Sequence, residues 1–160
     1  MLNEILKVLE KDARASYKQI AAITGLPEEK VEKTIKQAEQ DNIILRYKTI
    51  INWEKVGDEH VFALIEVKIS PKRDVGFDAI AERIYRFPQA YTVYLISGTY
   101  DLLVIAMGKT IHEVASFVSQ KLAPLDGVQG TVTHFMLKKY KEDGEILSGK
   151  EEVKRQPLVP

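Results

Sequence analysis

Cysteine is absent from the 160 residues, which excludes disulfide scaffolds, Cys-ligated zinc and thiol catalysis, and suits a reducing compartment. Long apolar runs are missing too. Nothing approaches the roughly 20 residues needed to span a bilayer, and the opening MLNEILKVLEKD has no signal-peptide pattern. A soluble cytoplasmic protein with no membrane partner is the expectation. Net charge is likewise missing, with 23 Lys/Arg against 23 Asp/Glu. Residues 1–57 hold ten basic and nine acidic side chains, a net of +1, so the basic footprint of many DNA binders is lacking and any nucleic-acid argument must come from pattern. There is no phosphate-loop glycine pattern, no nucleophile elbow and no convincing acid/base pair. The three histidines, His60, His112 and His134, are far apart and no carboxylate completes a metal-binding spacing. Neither enzymatic chemistry nor a metal or other cofactor is expected. What the chain does have is a length that fits one ordinary domain or two small ones, and an apolar fraction of 45%, enough to build real cores.

The stretch that organises the chain is Ile96-Ser97-Gly98-Thr99-Tyr100-Asp101-Leu102. It lies between two runs rich in β-formers, AYTVYLIS from Ala90 and YDLLVIAM from Tyr100. Gly98 suits a tight turn, so the two runs should pair antiparallel. A strand-then-helix unit precedes this hairpin and a helix-then-strand unit follows it, giving the order β-α-β-β-α-β.

Upstream, Leu2, Ile5, Leu6 and Leu9 recur at helical spacing and predict a first helix to about Lys11. Ser16-x-x-Gln19 forms a capping box for a second, two-turn helix with Ile20, Ala21 and Ile23 on one face and Gly25 at its end. Pro27 suits the first position of a third helix, in which Val31, Ile35 and Ala38 form the apolar stripe and Asn42 supplies a left-handed stop. Opposite that stripe lie Glu29, Lys33, Lys36 and Gln40, flanked by Lys30 and Gln37. A short helix, a glycine turn and a longer helix with a polar outer face is a helix-turn-helix, a unit that serves DNA or protein contacts about equally. Residues 43–51 (IILRYKTII) predict a strand or short wing, and residues 52–59 a linker.

From Val61 the period becomes two: Val61, Ala63, Ile65, Val67 and Ile69 share a face, and Ser70-Pro71 ends the strand. Phe77, Ile80, Ala81, Ile84 and Phe87 give a helix closed by Pro88. Thr110-x-x-Glu113 caps another, carried on by Ile111, Val114, Ala115, Val118 and Leu122, and residues 130–140 form the last strand. In the central strands Tyr91, Val93 and Leu95 oppose Tyr94 and Ile96, while Leu103, Ile105 and Met107 oppose Leu102, Val104 and Ala106. Two helices cover one sheet face only, so the second apolar face calls for another copy of the chain, packed sheet to sheet. Residues 141–160 are polar apart from Ile146-Leu147 and Leu158-Val159. A mobile tail is the default reading, with docking of those pairs on a neighbouring subunit as the alternative.

The run from Ile5 to Gly57, followed by β-α-β-β-α-β around SGTYDLLV, resembles the Lrp/AsnC family of feast/famine transcriptional regulators across roughly residues 2–140. The resemblance implies an α+β architecture: a winged helix-turn-helix over residues 1–52, a linker over 53–60, a ferredoxin-like βαββαβ sensor and dimerisation domain over 61–140, and a tail over 141–160. It implies sequence-specific binding of double-stranded DNA. Lys30, Lys33, Lys36 and Gln37 would enter the major groove, Gln37 as a candidate for a bidentate adenine contact, with Lys18, Arg46 and Lys48 on phosphates. Glu29 is a candidate acceptor from a cytosine amine, or a plain helix-end residue. It further implies an effector, an amino acid or related metabolite, at Gly98, Thr99, Tyr100 and Asp101. There the Asp101 carboxylate would receive an ammonium and turn N–H groups a carboxylate. A homodimer that assembles further, commonly to an octamer, completes the expectation.

The chain departs from the family where Pro27 replaces a usual Ser, Thr34 an Arg, Ala38 a Leu, Asn42 a Gly and Thr99 a polar or acidic residue. The third helix region also carries three Lys against five acids. Two alternatives follow: an enzyme resembling the siroheme decarboxylases of haem biosynthesis, which share this two-module layout, and a metabolite-sensing oligomer that has lost DNA binding.

Overall fold

Ser16 and Gln19 lock the start of the second helix. In the computed structural model, which describes residues 1–57, 60–70 and 76–148, the Ser16 hydroxyl accepts from the Gln19 N–H at 3.2 Å, and Gln19 Oε1 accepts from the Ser16 N–H at 2.8 Å. That box opens α2 (Tyr17–Thr24), between α1 (Leu2–Lys11) and α3 (Glu28–Gln40). Gly25 closes α2 at φ 71°, a left-handed conformation that favours glycine. The three helices bury Ile5, Ile20, Val31 and Ile35 against one another, with Val8, Tyr17, Leu26 and Ile44 at the margin. Residues Met1 to Ile51 form one compact unit, and Asn52 onwards a second.

Three expectations change here. Ile23 lies outside the core at 67% exposure, because the buried side of this short helix runs through Ile20, Ala21 and Thr24 and Ile23 falls off its edge. Pro27 stands one position before α3, extended at ψ 139°, with its carbonyl accepting from the Lys30 and Val31 N–H groups at 3.0 and 3.1 Å. Residues 43–51 form no strand, although β-branched, because no neighbouring strand meets them among the described residues. Asn42 does turn left-handed at φ 56°. It permits a paired closure in which Ile43 N–H donates to the Ala38 carbonyl and Asn42 N–H to that of Glu39.

In the second unit, residues 52–57 include a helical turn, α4 (Trp53–Val56), ended by Gly57 at φ 77°. The strands β1 (Val61–Ile69), β2 (Ala90–Leu95), β3 (Leu102–Gly108) and β4 (Val128–Phe135) form one antiparallel sheet in the order β2-β3-β1-β4. With α5 (Phe77–Tyr85) and α6 (Ile111–Phe117) at the crossovers, this is the ferredoxin-like βαββαβ arrangement. Thr110 caps α6 by accepting from the Glu113 N–H, while the Glu113 carboxylate reaches back to the Lys109 N–H rather than to that of Thr110. Past Phe117 the helix widens into a π-turn over Val118–Leu122; Phe117, Val118 and Leu122 are buried, while Ile111 and Ala115 are exposed. Pro71, expected to end the first strand, lies outside the described residues.

One sheet face is packed by α5 and α6. Ala63, Ile65, Val67, Leu102, Val104 and Ala106 meet Ile80, Ile84, Val114 and Leu122 in this core. The register places Ala63 against Ala106, Ile65 against Val104 and Val67 against Leu102. Gly127 permits the approach of β4 to α5: its φ is +94°, and a methyl group there would sit 2.6 Å from the buried Ile80 Cδ1. Gly127→Ala is therefore expected to cost about 1–3 kcal/mol. Gly130→Ala, with nothing within 4 Å, should stay within about 0.5 kcal/mol. Urea denaturation of the two variants checks the contrast.

The opposite face carries Phe62, Leu64, Leu103, Ile105 and Met107, none of them fully buried. Val132, opposite Glu66, lies beside them at 53% exposure. A bulge between Ala90 and Thr92 moves Tyr91 onto this face, edge-on to Phe62 at 5.8 Å. Sequence alternation had grouped it with Val93. Beyond Phe135 the chain leaves the ladder, since β1 begins at Val61, and Met136 N–H makes a last bond to the Phe62 carbonyl. The last strand is thus shorter than residues 130–140. The start of the expected tail is an ordered hairpin, β5 (Lys141–Glu142) and β6 (Glu145–Ile146), turning at Asp143 and Gly144 with φ 47° and 89°. Asn52 Nδ2 donates to the Leu147 carbonyl at 2.8 Å. The rest of that tail, Leu158-Val159 included, lies outside the described residues.

Candidate functional site

Burying Val31, Ile35 and Ala38 turns the remainder of α3 outwards. Glu29, Lys30, Lys33, Lys36, Gln37 and Gln40 are all exposed on it, and Lys18 is exposed on α2. Each of several candidate readers already has a partner one turn away. Lys33 pairs with Glu29 at 3.8 Å, Lys36 with Glu32 at 2.7 Å, and Gln37 Nε2 donates to Asp41 Oδ1 at 2.9 Å. The hydrogen bond to Glu32 raises the Lys36 ammonium above the usual lysine range. Exposed i,i+4 pairs stabilise a helix by only about 0.2–0.5 kcal/mol, less than a charge-assisted bond to phosphate, about 1.5–3 kcal/mol. Lys33 and Lys36 can therefore exchange an intrahelical acid for an external anion at small cost. Glu28 and Glu29 suit the positive N-terminal end of α3 but would repel phosphate at that same end.

Arg46 and Lys48, expected on phosphates, line a groove on α1. With Lys7, Lys11 and Glu10 of α1 and the apolar Leu6, Ile44 and Ile50, they border a groove of about 680 Å³. Four cations to one acid make its rim basic, and Lys7 and Lys11 were missed by sequence reasoning although their i,i+4 spacing was visible. Tyr47, between Arg46 and Lys48, also borders the groove while its hydroxyl reaches α3, donating to Glu39 Oε1 at 2.8 Å. Partial burial and that acceptor push the phenol up to about 12. A raised phenol pKa means the folded state holds the proton more tightly, so this stabilisation is complete below about pH 10, the unfolded value, and lost as pH rises towards about 12. A spectrophotometric titration should show a late-ionising tyrosine component that is lost in Tyr47→Phe. That variant should lose about 0.5–1.5 kcal/mol of stability.

In the second unit, residues 96–101 connect β2 to β3, with Gly98 at φ 143°. Gly98 and Thr99 are exposed while Tyr100 and Asp101 are half-buried. The turn closes through Ile96 N–H to the Asp101 carbonyl at 2.8 Å. Asp101 is also tied to β1: its N–H donates to the Val67 carbonyl at 3.0 Å, and its Oδ2 accepts from the Ile69 N–H at 2.8 Å and lies 3.4 Å from Lys68 Nζ. The carboxylate expected to receive a ligand ammonium thus already holds protein groups. Among the histidines, His134 on the open sheet face meets Glu66 at 3.2 Å, while His60 precedes β1 and His112 is exposed on α6. Among the described residues no group of His, Asp and Glu could hold a metal ion, and no helix is long and apolar enough to cross a membrane.

Family models match both units: residues 3–39 an AsnC-type helix-turn-helix domain, and residues 62–146 an Lrp/AsnC ligand binding domain. The chain is 47% identical to the HTH-type transcriptional regulator YugG of Bacillus subtilis over 98% of its own length and 95% of that protein's. It is 32% identical to the HTH-type transcriptional regulator FL11 of Pyrococcus abyssi, over 89% and 91% of the two chains. Among solved structures, the transcriptional regulator NMB0573 of Neisseria meningitidis, in complex with L-Met, shares the fold with a TM-score of 0.69 at 24% identity, covering 88% of this chain and 90% of that one. AsnC of E. coli does so with a TM-score of 0.66 at 19% identity, covering 88% and 93%. With both units matched in order and a relative at that identity along nearly the whole chain, the protein belongs to the Lrp/AsnC family of helix-turn-helix transcriptional regulators.

Proposed function

We propose that this regulator reads double-stranded DNA through α3 and responds to an amino acid or related small metabolite at the β2–β3 turn. The observation that carries the reading is the exposed polar face of α3, set opposite a fully buried stripe in a unit that matches the AsnC-type helix-turn-helix model. Lys30, Lys33, Lys36 and Gln37 enter the major groove, with Glu29 at its edge; Lys18, Arg46 and Lys48 contact phosphates. The DNA-reading part is assigned to residues 1–52, the linker to 53–60, and the sensor to 61–140. The sensor dimerises through the open sheet face, whose apolar side chains need a cover. The dimer presents two copies of α3 to successive major grooves, roughly one helical turn (34–36 Å) or a multiple apart. Dimers assemble further, an octamer being the expected size, in the cytoplasm where the DNA is. The effector, with its carboxylate on the N–H groups of Gly98, Thr99 and Tyr100, alters that assembly and so the spacing of the α3 pairs. Linkage then requires DNA of the favoured spacing to tighten effector binding by the same factor.

The test is a fluorescence anisotropy titration of the DNA upstream of the protein's own gene, at two salt concentrations, with and without a mixture of the twenty amino acids. Salt-sensitive binding that shifts with the mixture supports the reading. Absence of binding even at low salt favours the sensing oligomer without DNA binding.

A further inference from the structure

We propose that Asp101 is a positioning residue, which ties the β2–β3 turn to the end of β1 and sets the turn for its ligand, rather than the group that receives a ligand ammonium. This rests on the reading of residues 98–101 as the effector turn. The argument starts from the ladder. β1 pairs with β3 only as far as Val67 opposite Leu102, yet β1 continues to Ile69. The N–H of Ile69, a residue only 4% exposed, would then lack a main-chain partner on that side, and a buried donor left unpaired is costly. Asp101 Oδ2 supplies the acceptor at 2.8 Å, and the Asp101 N–H continues the pattern to the Val67 carbonyl at 3.0 Å. Lys68 Nζ lies 3.4 Å from that same oxygen and compensates its charge. Main chain and side chain of Asp101 are thus both committed to β1, and its carbonyl closes the turn on the Ile96 N–H. The tie extends further, because Ser70, next after Ile69, donates its N–H to the Gly127 carbonyl at 2.9 Å. With Oδ2 already holding a buried N–H and a lysine, the carboxylate would meet a ligand ammonium only as a second cation, beside the first. The exposed residues of the turn, Gly98 and Thr99, offer the main-chain N–H groups left to face a ligand.

Three variants of the full chain separate the roles. In Asp101→Asn the amide oxygen still accepts from the Ile69 N–H and only the ion pair with Lys68 is lost; Asp101→Ala loses the side-chain bond to Ile69; Lys68→Met removes the pair while leaving that bond. Each of the twenty standard L-amino acids is titrated calorimetrically into the wild type, and whichever binds is compared with its 2-hydroxy acid, in which hydroxyl replaces the amine. The expected result is that Asn and Met bind within about threefold of wild type and preserve its preference for amine over hydroxyl. Ala, at a temperature where it is still folded, should weaken amino acid and hydroxy acid alike by tenfold or more, with faster exchange of the Ile69 amide. An Asn variant that loses the amine preference assigns Asp101 to the ammonium and overturns the proposal. A folded Ala variant of unchanged affinity overturns it also, by reducing the tie to fold stability. If wild type binds none of the twenty, the amino-acid reading fails and the positioning role falls with it, with Ile69 exchange still reporting whether the tie itself exists.

Discussion

Replacing Ile105 by aspartate is expected to convert the proposed dimer into a folded monomer. Ile105 lies mid-sheet, opposite Leu64 on one side and Thr92 on the other, on the face that neither helix covers. A two-fold interface would bury the introduced carboxylate twice. Each unpaired buried charge costs several kcal/mol after relaxation, so dissociation should strengthen by at least a thousandfold. Sedimentation at micromolar concentration should give the monomer mass. The neighbouring Val104→Asp makes the control: Val104 is fully buried beneath α5 and α6, so that change should abolish folding instead. Adjacent positions with opposite outcomes would separate the helix-packed face from the one left for a second copy. Equal dimerisation of wild type and Ile105→Asp would place the interface elsewhere.

The second large effect concerns charge on α3. Lys33→Glu/Lys36→Glu reverses two exposed cations whose present partners, Glu29 and Glu32, hold them weakly. DNA affinity should fall at least a hundredfold at low salt, because two cations in the groove become two anions facing the phosphates' negative potential, and the slope of log affinity against log salt should flatten. Stability should change by no more than about 0.5–1 kcal/mol, the two positions being surface ones. The opposite change, Glu28→Lys/Glu29→Lys, should tighten binding and steepen the slope, at some cost to the helix end. Measured in parallel, the two double variants tell electrostatic attraction from a stability effect, because both perturb the helix while only one gains phosphate contacts.

What was legible in the chain, and what was not, divides along range of interaction. The Ser16–Gln19 box, the Gly25 and Asn42 stops and the alternation in β1 and β3 are local, and each stands as read. The Tyr91 bulge was hidden because period-two reading assumes an uninterrupted strand, and the ladder with β3 breaks at that point. Residues 43–51 looked like a strand because composition reports β preference, whereas a strand exists only where a partner does. The β5–β6 hairpin was written in plain view as Asp143-Gly144, a strong two-residue turn signal, but its polar flanks suggested a tail. For the site, the outward face of α3 follows from its buried stripe, so Glu29, Lys30, Lys33, Lys36 and Gln37 are exposed as their spacing predicts. The basic rim around Lys7 and Lys11 was missed, since it forms only when residues 43–50 return along α1. Asp101 was singled out, yet its bond to Ile69 spans 32 residues and no local pattern could reveal it.

The most direct test of the account is a hydroxyl-radical footprint on the DNA upstream of the protein's own gene, with the wild type and with Lys33→Glu/Lys36→Glu. The wild type should protect backbone segments flanking two major grooves, spaced by roughly one helical turn or a multiple, and the double variant should protect none at the same concentration. Protection that survives unchanged in the variant, or none by the wild type even at low salt, would contradict the assignment of α3 as the DNA reader.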